Sequence, residues 1–274
     1  MKISKKQRTY LSIVVAISLL TFVGIGMKNN SFSVFSNNRK LPIYSVGTDE
    51  KKIAISFDAS WGADNTEKLL DILDKYNVKT TFFLVGGWVD KYPDKVKEIH
   101  KRGHEIGNHS NTHPDMTTLS KEKIVQEIAA TDAKIMTITG EKTKLFRFPS
   151  GSYNNLAIET VESTNHKCIQ WDVDSVDWKE KGAQEEYDRV IKNVKSGSIV
   201  LFHNNAKYTP ENLPKILEKL KAEGYKIVPI SELIYMDNYE LDHTGNQIRN
   251  NGETDKKSNI KTSEDNSGIK ENKK

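Results

Sequence analysis

The chain has 274 residues, enough for one large domain with appendages. Its one cysteine, Cys168, excludes an internal disulfide, and a net charge of only +4, much of it at the two ends, gives no support to a nucleic-acid role. The hydrophobic share of 36% is low for a globular protein because the ends of the chain are polar.

Lys2, Lys5, Lys6 and Arg8 precede an apolar run from about Tyr10 to Met27. At roughly 18 residues this run reaches the lower limit for a membrane-spanning helix. The charges before it keep the N-terminus cytoplasmic and place the rest outside. The reading is a basic segment over 1–9, a signal anchor over 10–27 and a polar linker over 28–50; a secretory signal cleaved after Gly26 is the alternative.

From 51 to 235, strand and helix signals alternate. Lys52–Phe57 is an apolar strand ending at Asp58, followed by a helix with Thr66 near its start and Leu69, Leu70, Ile72 and Leu73 on one face. Thr80–Val85 is the next strand, and a helix over Val89–Arg102 ends at Gly103. A short strand, Glu105–His109, follows, and then Ser120 caps a helix running to about Thr139. Leu145–Pro149, Lys167–Val173 and Ser198–His203 read as further strands. The helix Asn212–Glu223 stops at Gly224, and Lys226–Ile230 closes the series. Such alternation predicts a parallel sheet with helical crossovers, either an irregular barrel or an open doubly wound sheet. Residues 236–274 are polar and predict a disordered tail, because they cannot bury enough surface to offset ordering entropy.

The chemistry collects at strand ends, which a parallel architecture gathers on one face. His109 and His113, four residues apart, suit a zinc-like metal if the segment turns tightly, and Pro114 enforces a turn after them. The bland alternative is two unrelated surface histidines. Asp58 ends an apolar strand and is a structural carboxylate or a general base. Arg147, between two phenylalanines, demands a carboxylate partner. His203, after Ile-Val-Leu-Phe, is an acid, a ligand or a core histidine.

Five segments, in order, resemble the polysaccharide deacetylases of carbohydrate esterase family 4, the NodB-homology domain: Ser56-Phe-Asp-Ala-Ser-Trp61, His109-Ser-Asn-Thr-His-Pro114, Arg147-Phe-Pro-Ser-Gly151, Asp174-Ser-Val-Asp-Trp178 and Leu201-Phe-His-Asn204. The match spans almost all of 51–235, and Phe57-Asp-Ala-Ser-Trp-Gly62 looks most like the sporulation-associated members. The resemblance implies an irregular (β/α) barrel and metal-assisted hydrolysis of N-acetyl groups on cell-wall glycan, peptidoglycan above all, by a monomer. By motif, Asp58 is the base, Arg147 its orienting partner, and His203 the acid held by Asp177. The same carry-over makes Trp178 and Leu201 the acetyl pocket, a backbone N–H of the Arg147–Gly151 turn the oxyanion donor, and His109 and His113 the ligands of a divalent metal, zinc.

Two positions depart from the family pattern. Ala59 stands where the second metal-binding aspartate is usual, leaving two ligands where a catalytic zinc expects three. Either Asp64 reaches in, Asp58 becomes a ligand, or metal binding is weak. Ser150 replaces a usual aromatic, which alters the groove surface. The alternative to an enzyme is therefore a catalytically weak or silent glycan-binding module that keeps the fold.

Overall fold

The computed structural model describes residues 39–250, and the ordered fold begins within the segment read as a linker. Ile43 and Val46 are buried, and β1 (Ser45–Val46) joins a small sheet. Leu41, Ile43, Tyr44 and Val46 are scattered over six positions interrupted by Pro42 and Ser45, too short a pattern for periodicity to register, which is why 28–50 reads as linker.

Strand β2 (Lys52–Ala59) divides the molecule by its pleat. Ile53, Ile55, Phe57 and Ala59 belong to the apolar cluster on one side, whereas Ala54 belongs to a second cluster. Ser56 and Asp58 share the face of Ala54. The chain continues through α1 (Thr66–Lys75), β3 (Thr81–Leu84), α2 (Gly86–Lys91), α3 (Pro93–Lys101), β4 (Glu105–Asn108), α4 (Lys121–Thr139) and β5 (Leu145–Arg147). It then forms α5 (Asn155–Ser163), β6 (Lys167–Ile169), β7 (Val173–Asp174), α6 (Ala183–Asn193), β8 (Ile199–His203), α7 (Thr209–Ala222), β9 (Lys226–Ile227) and α8 (Ile230–Leu233).

The strands lie in the order β6-β5-β4-β3-β2-β8-β7, with β9 beside β2, and every pairing is parallel. This is an α/β half-barrel. The N-terminal segment runs between β6 and the start of β8, where Ile43 bridges Ile169 and Ser45 bridges Ser198.

Three differences from the expected elements have physical causes. The helix expected over 89–102 is two, broken where Tyr92 takes φ −131° and ψ 52° because Pro93 disfavours helical backbone before it. The strand expected over 167–173 is also two, and they lie at opposite edges of the sheet. Its alternating Cys-Ile-Gln-Trp-Asp-Val run carries no glycine or proline to mark the crossing. Finally, the segment 236–250, expected as tail, carries strands: β10 (Tyr239–Leu241) and β11 (Asn246–Arg249) form a hairpin, and β11 pairs with β1. The Asp242 carboxylate holds the turn by accepting from the N–H groups of Thr244 and Asn246, while the buried Gln247 side chain bonds both the N–H and the C=O of Tyr235.

Among the described residues no helix is long and apolar enough to cross a membrane; the expected anchor, 10–27, lies outside them, as does the end of the polar tail.

Candidate active site

Parallel register places Asp58 of β2 directly beside His203 of β8, both at strand ends. A cleft of about 370 Å³ opens there. Seven of the nine expected site residues line it: Asp58, His109, His113, Ser150, Trp178, Leu201 and His203. The other two, Arg147 and Asp177, are buried behind it, each holding a residue of the cleft.

Arg147 is wholly buried and donates from Nη1 to Asp58 Oδ1 at 2.8 Å, and from Nη2 to the Gln170 carbonyl at 3.2 Å. Its guanidinium lies 4.1 Å from the Phe83 ring centroid, a cation–π contact. Gly107 makes that packing possible, since a Cβ at this position would lie 2.5 Å from the Phe83 ring. Burial opposes charge on Asp58, yet Arg147, with His109 and His203, outweighs it and holds the carboxyl below its usual pKa. Asp58 is therefore a buried carboxylate, ionised at neutral pH, whose Oδ2 remains outside the arginine bond.

On the other side, Asp177 Oδ1 accepts from His203 Nδ1 at 2.7 Å and from the Trp178 N–H at 2.8 Å, while Oδ2 accepts from the His203 N–H and the Thr209 hydroxyl. Burial works against the imidazolium, but the bond and charge of Asp177, helped by Asp58, raise the His203 pKa above its ordinary value. With Nδ1 committed to Asp177, Nε2 is the nitrogen left for proton transfer.

The His109–His113 loop is clamped from α4. Glu127 accepts from the N–H groups of Asn111 and Thr112 at 2.8 Å each. Asn108 bonds Asp132 and the Ile128 carbonyl through Nδ2 and receives the Ser110 N–H on Oδ1. Ser110 and His113 have φ of 67° and 59°, and across the cleft Ser150 and Val176 have 53° and 56°. Left-handed backbone at non-glycine residues is costly, most of all at β-branched valine, and its concentration here marks loops held in place by their surroundings. In the turn containing Ser150, the N–H groups of Gly151 and Ser152 serve the carbonyls of Phe148 and Pro149, which leaves the Ser150 N–H as the turn's candidate oxyanion donor.

His109 Nδ1 lies 2.8 Å from the Arg147 carbonyl, so it is the protonated nitrogen, and Nε2 faces Asp58 Oδ2 at 3.4 Å. Burial, partly offset by Asp58, drives the His109 pKa down to about 4, which keeps the ring neutral. The His109 and His113 rings stand edge to face at 5.0 Å. Two imidazole donors are thus present, but among the described residues no group of three His, Cys, Asp or Glu side chains is placed to hold a metal. Asp64 is exposed and does not line the cleft, and Ala59 is wholly buried in the helix-side apolar cluster. The donor set does not fit a catalytic zinc with three protein ligands.

Four further residues line the cleft that the sequence did not assign to the site: Ser60, Trp61, Trp171 and Asp174. Trp61 is 45% exposed, and its ring sits 5.0 Å from that of His203. A large aromatic next to a glycine, just past a strand end, was the available signal.

The family model described as polysaccharide deacetylase matches residues 45–169. The uncharacterized protein YlxY of Bacillus subtilis is 35% identical over 193 residues, which cover 70% of this chain and 60% of YlxY, so the match takes in less than two thirds of that relative. The peptidoglycan-N-acetylmuramic acid deacetylase PdaA of Bacillus subtilis is 34% identical over 196 residues, covering 70% of this chain and 74% of PdaA. Among solved structures, BA3943 of Bacillus anthracis, a carbohydrate esterase family 4 pseudoenzyme, is similar with a TM-score of 0.69 at 36% identity, covering 72% of this chain and 69% of that one. A BA3943 mutant with restored enzymatic activity has also been solved.

Proposed function

This chain belongs to the polysaccharide deacetylase family, and from that premise we propose that it removes N-acetyl groups from cell-wall peptidoglycan. The observation that carries this is the pair of opposed, separately held proton-transfer groups: Asp58 on Arg147, and His203 on Asp177. Buried ion pairs are poor sources of stability, because desolvation cancels much of their attraction. A cleft that needs only to bind has no use for an ionised carboxylate and a basic imidazole side by side.

In the proposed reaction, water attacks the acetyl carbonyl carbon while Asp58 takes its proton. The Ser150 N–H meets the developing oxyanion. The C–N bond then breaks as His203 Nε2 delivers a proton to the sugar nitrogen, giving acetate and a free amine. Arg147 keeps Asp58 oriented, Asp177 keeps His203 in the required tautomer, and Leu201 and Trp178 bound the space for the methyl group. A divalent cation, zinc by family resemblance, is the expected cofactor. The two-histidine donor set does not complete its site, so no step is routed through it.

The membrane anchor over 10–27, an extracytoplasmic domain and a monomeric state extend this proposal from the sequence, and the sporulation setting rests on the Phe57–Gly62 motif. A second reading, a glycan-binding module without hydrolysis, is favoured by Ala59 and by the likeness to a pseudoenzyme. Acetate release from peptidoglycan fragments by the full chain, beside Asp58→Asn, separates the two. Release abolished by that substitution supports the hydrolase; equal traces from both proteins support the binding module.

A further inference from the structure

We propose that Trp61 is a sugar-binding platform, holding the apolar face of a pyranose ring over His203 while Trp178 flanks the cleft. The proposal rests on the glycan reading above and adds a residue that the family resemblance does not supply.

Among the described residues only two tryptophans are exposed, Trp61 at 45% and Trp178 at 54%, and both line the one cleft that contains the acid–base pairs. An exposed indole is easily explained as a mobile surface residue, but here the backbone says otherwise. The carbonyl of Gly62, next in sequence, accepts from the Trp88 indole N–H at 2.7 Å and from the Asn204 amide at 3.0 Å. Gly62 itself has φ +55°, and a Cβ there would lie 2.2 Å from the Asn205 amide nitrogen. Asn205 in turn accepts the Asn65 N–H. The loop is therefore fixed on both sides of a turn that only glycine fits, and it carries a large apolar ring half in water. Covering that half-exposed ring with the apolar face of a ligand would remove further apolar surface from water, a gain available at the mouth of this cleft.

The geometry selects the ligand. The Trp61 ring lies 5.0 Å from His203 at an interplanar angle of 36°, so it leans over the nitrogen-bearing ring instead of packing into the core. Trp178 is fixed by its own N–H to Asp177, with Lys179 Nζ 4.8 Å from its ring. Aromatic faces attract polarised C–H groups, which a pyranose presents on its flat face while its edge carries hydroxyl and acetamido groups. A ring seated on Trp61 would turn that polar edge toward Asp58 and His203. An aromatic wall over a few converging polar groups is the usual construction of a pocket that fixes ligand orientation.

The test is calorimetric binding of a peptide-free peptidoglycan tetrasaccharide to the full chain and to Trp61→Ala and Trp61→Phe, with near-UV circular dichroism to check folding. The expected result is affinity weakened about tenfold or more in Trp61→Ala, as for other truncated aromatic anchors, and within about threefold of wild type in Trp61→Phe. Wild-type binding that survives unchanged in a folded Trp61→Ala overturns the platform while leaving the glycan reading intact. Absence of binding by the wild-type chain overturns the glycan reading, and the platform falls with it.

Discussion

Arg147 is the residue whose burial demands most from its surroundings. It is completely buried and answered by a single carboxylate. Arg147→Leu should destabilise the domain by about 3–5 kcal/mol, because it leaves Asp58 buried and unpaired; the urea midpoint reads this directly. A loss below 1 kcal/mol would mean that Asp58 neutralises itself by taking up a proton. His203 supplies a second prediction at this scale. Its pKa is raised by folding, so its pairing with Asp177 contributes full stability below the unfolded value, about 6.5, and loses that contribution as pH rises through the higher folded value. His109 behaves oppositely: its pKa is lowered to about 4, so stability falls as pH drops from about 6.5 toward 4. Asp177→Asn should abolish the alkaline slope and keep the acid one, as measured by thermal midpoints across pH. An unchanged alkaline slope would contradict the assignment to His203.

Among the elements, Asp58, Arg147 and His203 were legible because each closes an apolar run that reads as a buried strand, and the pleat then dictates which residues face the cleft. Asp58, Leu201 and His203 follow that rule. The supports were not legible. Glu127 lies mid-helix, 14 residues beyond His113, and nothing in its local sequence distinguishes it from a solvated helix glutamate. Only the folded loop shows it receiving two backbone N–H groups. Glu127→Ala should cost about 1.5–3 kcal/mol locally, the value of hydrogen bonds to a charged group, and raise amide exchange at Asn111 and Thr112. Exchange that is unaltered there would show the loop to be held by Asn108 and Ser110 alone. The split of the 167–173 run was equally hidden. Trp171 reads as a mid-strand residue and instead occupies the crossing between two sheet edges, which brings it to the cleft beside Gly151.

The whole molecule is secured by parts that composition assigned to linker and tail. Ile43 and Ser45 tie β6 to the start of β8, and the 239–249 hairpin pairs with the strand that contains Ser45. Truncation after Asp237 should therefore lower the thermal midpoint by several degrees, in keeping with the loss of the β1–β11 pairing and the Gln247 bonds to Tyr235. A dispensable tail, as the polar composition suggests, would leave the midpoint unmoved. Polar strands of this kind escape a reading built on apolar periodicity, since their order comes from ladder pairing and one buried glutamine.

The retained acid–base pairs are proposed to hydrolyse an N-acetyl group although position 59 is alanine. Acetate release from peptidoglycan fragments, measured for the wild-type chain and Ala59→Asp with added zinc and with chelator, tests this most directly. Release by the wild-type chain above an Asp58→Asn blank is the expected result. Release confined to Ala59→Asp in the presence of zinc, with none from the wild-type chain, would contradict it and make this protein a glycan-binding relative of an enzyme.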